Sequence, residues 1–126
     1  MKTEVDKIEK VMKRLADEIP ELLATGITDN EAGMIIAGVI KDTTFKIDEA
    51  GAYFTTAYQK AGIAVNIVGG GLMKEILITA EQQINLMMTL KDGKYHLGIC
   101  VNANVQLGMV RVIAKKYWEE IEKLLP

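Results

Sequence analysis

The stretch "VNIVGGGLMKEILI", residues 65–78, sets three consecutive glycines, Gly69, Gly70 and Gly71, just ahead of an apolar run. A glycine-rich loop cradles phosphate when it leads from a strand into a helix. The bound anion then meets free N–H groups and the positive end of the helix dipole. Here the periodicity gives the reverse order: helix, glycines, strand. The loop faces the carbonyl end of a helix, the wrong pole for an anion, and no Lys-Ser or Lys-Thr follows the last glycine. Gly69 suits the left-handed residue that ends a helix. Gly70 and Gly71 then let the chain reverse into a strand, so the stretch reads as a cap and hinge.

His96 and Cys100 are the only residues of their kinds. A thiol–imidazole pair or a metal site would need both at one point. They fall on one face of one strand, four residues and therefore about 13 Å apart. Two ligands of one zinc each sit about 2.0–2.3 Å from it, so these two cannot share an ion. Nor can they act as nucleophile and base. A strand histidine and a buried cysteine acting as a small apolar residue are expected. Arg14 and Arg111, the only arginines, have the charge to reach a nucleotide on a partner, but exposed arginines beside carboxylates are the simpler reading. The seven methionines mostly fill core gaps. Met87, between Asn85 and Thr89, is placed to face a half-exposed surface.

With no catalytic cluster, the whole chain sets the bounds. Its 126 residues suggest one domain, residues 1–126, burying roughly two thirds of the unfolded chain's surface. Hydrophobic residues at 49% and charged residues at 25% are a globular balance. A net charge of -2 gives no footprint for nucleic acid. One cysteine fits a reducing compartment. The charged start "MKTEVDKIEK" has no apolar core of a signal peptide, and no stretch reaches the roughly 18 apolar residues of a membrane span. A cytoplasmic protein with no metal or cofactor is expected.

Apolar periodicity predicts the elements. Val5, Ile8, Met12, Leu15 and Ile19 lie on one face of a helix over residues 3–19, which Pro20 stops. "DNEAG" turns a hairpin of Leu22 to Thr28 and Met34 to Ile40, apolar on both faces and so covered on both sides. A second helix spans 47–68, with Asp48 and Glu49 in the first turn, where the dipole favours negative charge. Strands follow at 72–80, 83–90 and Tyr95 to Asn102, the last two joined by the turn "KDGK". A final helix begins near Asn104, expected as its N-cap. It carries Leu107, Val110, Ala114, Tyr117, Ile121 and Leu124 inward and pairs Lys115 with Glu119 and Lys116 with Glu120.

The helix over 47–68 carries more apolar surface than one sheet can cover. Ile47, Ala50, Phe54, Ala57, Ala61, Ala64 and Val68 read as its core stripe. Tyr53, Thr56, Ile63 and Ile67 form a second stripe beside it. Such a stripe, left exposed with Lys60, marks a protein partner; the alternative is a helix covered on all sides by its own chain.

Four features together resemble the Roadblock family, the group of roadblock-type dynein light chains and bacterial MglB-like regulators of Ras-like GTPases. They are "EIPELLATGITDNEAGMIIAGV", "GLMKEILITAEQQINLMMTL", "DGKYHLGICVNANVQLGMVRV" and the order αββαβββα. Glu21 stands where the family often has glycine after the proline, and "DNEAG" replaces a shorter turn. The resemblance implies an α+β sandwich with a five-stranded antiparallel sheet, the first and last helices on one face and the middle helix on the other. It implies a homodimer in which third strands pair edge to edge and middle helices lie side by side. The candidate interface then takes Tyr53, Thr56, Lys60, Ile63 and Ile67 from the helix and Met73, Glu75 and Leu77 from the strand. It further implies a non-enzymatic protein that binds a small Ras-like GTPase and modulates its nucleotide cycle. A scaffold of the same fold and a small-molecule sensor with a pocket between sheet and helices remain as alternatives.

Overall fold

The computed structural model describes residues 4–126. Helix α1 (Glu4–Asp17) leads into the hairpin β1 (Leu22–Asp29) and β2 (Met34–Ile40). Helix α2 (Ile47–Ile67) crosses to β3 (Glu75–Thr79), β4 (Gln83–Leu90) and β5 (Tyr95–Asn102), and helix α3 (Leu107–Leu124) closes the chain. The expected start of α1 at residue 3 lies outside the described residues. The five strands form one antiparallel sheet in the order β2-β1-β5-β4-β3, as the resemblance implied. The β1–β5 pairing joins the two hairpin regions, leaving β2 and β3 as edges.

One face of the sheet is dry. Ile84, Leu86, Met88 and Leu90 of β4 alternate toward it, as do Tyr95, Leu97, Ile99 and Val101 of β5, because strand side chains reverse direction at every residue. They pack against Ile8, Met12 and Leu15 of α1 and Val110, Ala114, Tyr117 and Ile121 of α3. Val5, expected in that stripe, is instead exposed at the open end of α1.

The two helices are also clasped by charge. Arg14 pairs with Glu120, Lys116 with Glu18 at 2.9 Å, and the Tyr117 hydroxyl donates to Glu18. The Tyr117 and Lys116 hydrogen bonds hold the Glu18 carboxyl below its ordinary range. Lys116 and Glu120 therefore reach across to Glu18, just past α1, and to Arg14 on it rather than to each other. Glu119 takes Lys123 at 3.3 Å.

The turns obey local chemistry. Asp29 Oδ1 accepts from the amides of Glu31 and Ala32, and Gly33 takes a left-handed φ of 68° to close the β1–β2 hairpin. At the end of α2 the amide of Gly70 donates to the Val65 carbonyl at 2.8 Å and that of Gly69 to Asn66 at 3.1 Å. With Gly69 at φ 81°, this is the paired-bond glycine stop expected for a helix end. Helix α3 departs from expectation. It starts at Leu107 after Gln106, with no side-chain cap. Asn104 instead gives its amide to Asn102 Oδ1, closing a turn before the helix.

Leu97→Ala, in the dry layer, is expected to cost about 2–5 kcal/mol in urea unfolding. Ile67→Ala on the outside of α2 should stay within about 0.5 kcal/mol at concentrations too low for self-association. Equal losses would contradict the unequal coverage of the two sheet faces.

Candidate functional site

The other face of the sheet is built differently. It presents Ala24, Gly26 and Thr28 from β1, Asn85, Met87 and Thr89 from β4, and His96, Gly98 and Cys100 from β5, as the strand registers require. Helix α2 lies over this glycine-rich, polar floor and buries only Thr55 and Tyr58 fully. Its inward side runs through Ile47, Gly51, Phe54, Thr55, Tyr58 and Gly62. This corrects the expected core stripe. Ala64 and Val68 are exposed, Val68 at 82%.

Polar ties hold the helix down. The Tyr58 hydroxyl is bonded to the Thr89 hydroxyl, which donates to the Met73 carbonyl at 2.5 Å; Tyr58 is therefore the donor of the pair. Its ring stacks on His96 with centroids 4.6 Å apart. Gln59 Nε2 donates to the Asn30 carbonyl at 2.6 Å. Asn30 Nδ2 donates to Gly93 at 2.9 Å, so its Oδ1, 2.6 Å from His96 Nδ1, is the acceptor there. His96 thus carries its proton on Nδ1. Burial pulls its pKa down to about 4 and pushes the Cys100 thiol up to about 11. A protonated, buried thiol is a poor nucleophile. Among the described residues, no group of three or more His, Cys, Asp or Glu side chains could hold a metal ion. No helix is long and apolar enough to cross a membrane.

The residues expected at an interface divide into two groups. Tyr53, Thr56, Lys60, Ile63 and Ile67 share the side of α2 turned away from the sheet, by the 3.6-residue repeat. All are exposed, Tyr53 at 77% and Ile67 at 78%. The patch continues through Val68 and Leu72 toward the third strand. Met73 is half-buried, near enough to Gly62 that a Cβ there would meet its Cε at 3.8 Å.

Glu75 and Leu77 lie on β3, but on the opposite sheet face from α2. Their register partners Met88 and Leu86 point into the dry core, and Glu75 pairs with Arg111 of α3 at 2.7 Å. Ile76 and Ile78 are the β3 residues on the α2 side, opposite Met87 and Asn85. Met73 lies ahead of the strand, which begins at Glu75, so its side of the sheet does not carry over by alternation to Glu75 and Leu77.

The two sheet edges differ. Glu9 of α1 takes the Gly38 amide of β2 at 3.4 Å, so a side chain reaches the backbone of that edge. The outer backbone of β3 has no such side-chain partner among the described residues. The apolar "ILI" at its centre makes it an open edge of the kind that pairs with another chain.

No family model and no curated protein matches the chain. Solved structures do. Myxococcus xanthus MglB superposes with a TM-score of 0.87 at 17% identity, covering 100% of this chain and 96% of that one. An MglB with a tetrameric arrangement gives 0.85 at 12% identity over 98% and 91%. A Roadblock/LC7 domain from Streptomyces avermitilis gives 0.79 at 12% identity over 91% and 94%. The chain has the fold of these MglB and Roadblock/LC7 proteins.

The buried histidine makes stability depend on pH. Between its folded value of about 4 and its ordinary value of about 6.5, the unfolded chain binds a proton that the folded chain excludes. Stability is full above pH 6.5 and falls as pH drops toward 4, by roughly 3 kcal/mol in all. Urea unfolding between those limits should show that loss, and His96→Gln should flatten it. A wild-type profile already flat across this window would contradict the buried neutral state.

Proposed function

We propose that this chain is a non-enzymatic binding protein that self-associates through α2 and β3 and, as a dimer, regulates a small Ras-like GTPase. One observation carries the reading. The outward side of α2 is an apolar stripe of Tyr53, Ile63 and Ile67, continuous with Val68 and Leu72 beside an open β3 edge. Two copies related by a two-fold axis would continue the sheet through β3 and lay their α2 helices side by side, covering stripe and edge together. An exposed apolar surface of this length beside an unpaired edge is a liability for a chain that stays alone. The tetrameric arrangement named for one MglB of similar fold supports self-association as the use of this surface.

The GTPase partner rests on the sequence resemblance and on the likeness to MglB structures. No arginine supplied to the nucleotide is required. Binding that favours one arrangement of the partner's switch loops shifts their population and changes hydrolysis. A scaffold of the same fold is the competing reading, separated by turnover rather than by binding.

Ile63→Asp and Ile67→Asp each place a charge in the interface and should weaken self-association at least ten-fold by sedimentation equilibrium, with helix content retained. Two variants that associate like wild type would refute the α2 interface. Single-turnover GTP hydrolysis by a Ras-like GTPase of the same organism should change several-fold when the chain is added. Binding with unchanged hydrolysis and exchange would favour the scaffold.

A further inference from the structure

Beneath the first half of α2, against the sheet, lies a cavity of about 60 Å³. One water needs only about 10–15 Å³ of such space, and a dry engineered cavity of about 150 Å³ takes benzene. The volume therefore suits one molecule of a few heavy atoms. Its walls carry no charged side chain; the apolar ones are chiefly Ile35, Phe45, Ile47 and Phe54.

Three buried polar side chains line it with bonding capacity unspent. Thr28 is 6% exposed, and its hydroxyl has no hydrogen-bond partner among the described residues. His96, 3% exposed, uses Nδ1 as a donor to Asn30, which leaves Nε2 a bare acceptor. Asn85, 7% exposed, donates through Nδ2 to Gln83 at 3.0 Å, and its Oδ1 is unspent. Among the described residues no fully enclosed side-chain nitrogen or oxygen lacks a partner, so each of these three atoms is open to water-sized space, where a water or a ligand would complete its bonding.

The floor between these groups is the cross-strand pair Gly26 and Gly98, and Gly51 stands on the helix side. Packing does not demand a glycine at 98. A Cβ there would meet nothing nearer than the Gly26 carbonyl at 3.7 Å. The space is open although a methyl group would fit it.

We infer that this cavity is a binding site for a small neutral molecule with a short aliphatic body and a hydroxyl or amide N–H. The donor satisfies His96 Nε2 or Asn85 Oδ1, the Thr28 hydroxyl gives or accepts a further bond, and the aliphatic part lies over Gly26 and Gly98. A cation or carboxylate of the same size would enter a partly enclosed, uncharged site with no counter-charge, at a desolvation cost that a neutral molecule avoids. His96 stays neutral at physiological pH because burial depresses its pKa, so it offers an acceptor and no charge. The site stands apart from the outer side of α2 and does not depend on the proposed dimer.

The test is an amide-shift titration of the full chain with 1-propanol, and with propylammonium as the charged match. Saturable shifts at Gly26, Gly51 and Gly98 are expected with 1-propanol and not with propylammonium. Gly98→Ala should weaken the interaction at least ten-fold and Thr28→Val about three-fold, with melting curves verifying that each variant folds. No saturation by roughly 100 mM would overturn the site. So would equal binding of the cation, affinity unchanged in both variants, or exchange with water alone.

Discussion

Helix α2 is apolar around nearly its whole circumference but lies on a surface that can bury only one side of it. The floor beneath it mixes the apolar Ala24, Met87 and Cys100 with glycine, threonine, asparagine and histidine, so the hydrophobic effect gives that side less grip than the opposite face. What holds it is a set of directed bonds: Tyr58 to Thr89, Gln59 to Asn30, and the stacked pair of Tyr58 and His96. Such bonds contribute only about 1 kcal/mol each net, far less than a well-packed core face. The rest of the apolar stripe is left outside, beside the β3 edge that the strand order leaves open, and the interface reading follows from the two together.

The opposite sheet face supplies the rigidity that α2 does not. Fully buried Ile8, Met12, Leu15, Leu86, Leu97, Ile99 and Ile121 form one packed layer, and the α1–α3 ion pairs fasten its outer surface. A sheet anchored so firmly on one side can present β3 as a straight, unshielded edge without losing its shape. It can also keep a cavity on the other side, where α2 spans the floor without filling it. The two faces thus divide the labour. One stabilises the fold, and the other leaves surface and space available to partners.

Much of this was legible in the residues. Helix α1 buries one face only, so a single period stands out and its inward residues match expectation apart from Val5. Strands β4 and β5 are covered on both faces, which is why Met87, expected at a half-exposed surface, is 3% exposed. The glycine stop after α2 was legible because glycine adopts without strain the left-handed φ that ends a helix, which other residues rarely do. The phase of α2 was not. When every side of a helix is apolar, periodicity does not tell inside from outside, and the inward residues Gly51, Thr55, Tyr58 and Gly62 are among its least hydrophobic. The partners of Glu120 and Lys116 are Arg14 on α1 and Glu18 just after it, more than a hundred residues away for Glu120 and Arg14, beyond any local spacing rule. The cavity is not legible in the sequence because its polar groups come from three strands whose registers appear only once the sheet is assembled.

The most direct measurement of the central claim is an isotope-filtered NOE experiment on a mixture of labelled and unlabelled chains, which reports only contacts between copies. The account predicts contacts between β3 backbones around Leu77 and between Ile63 and Ile67 methyl groups of facing α2 helices. Contacts confined to the β2 edge or to α3, or none at concentrations far above a micromolar, would contradict it.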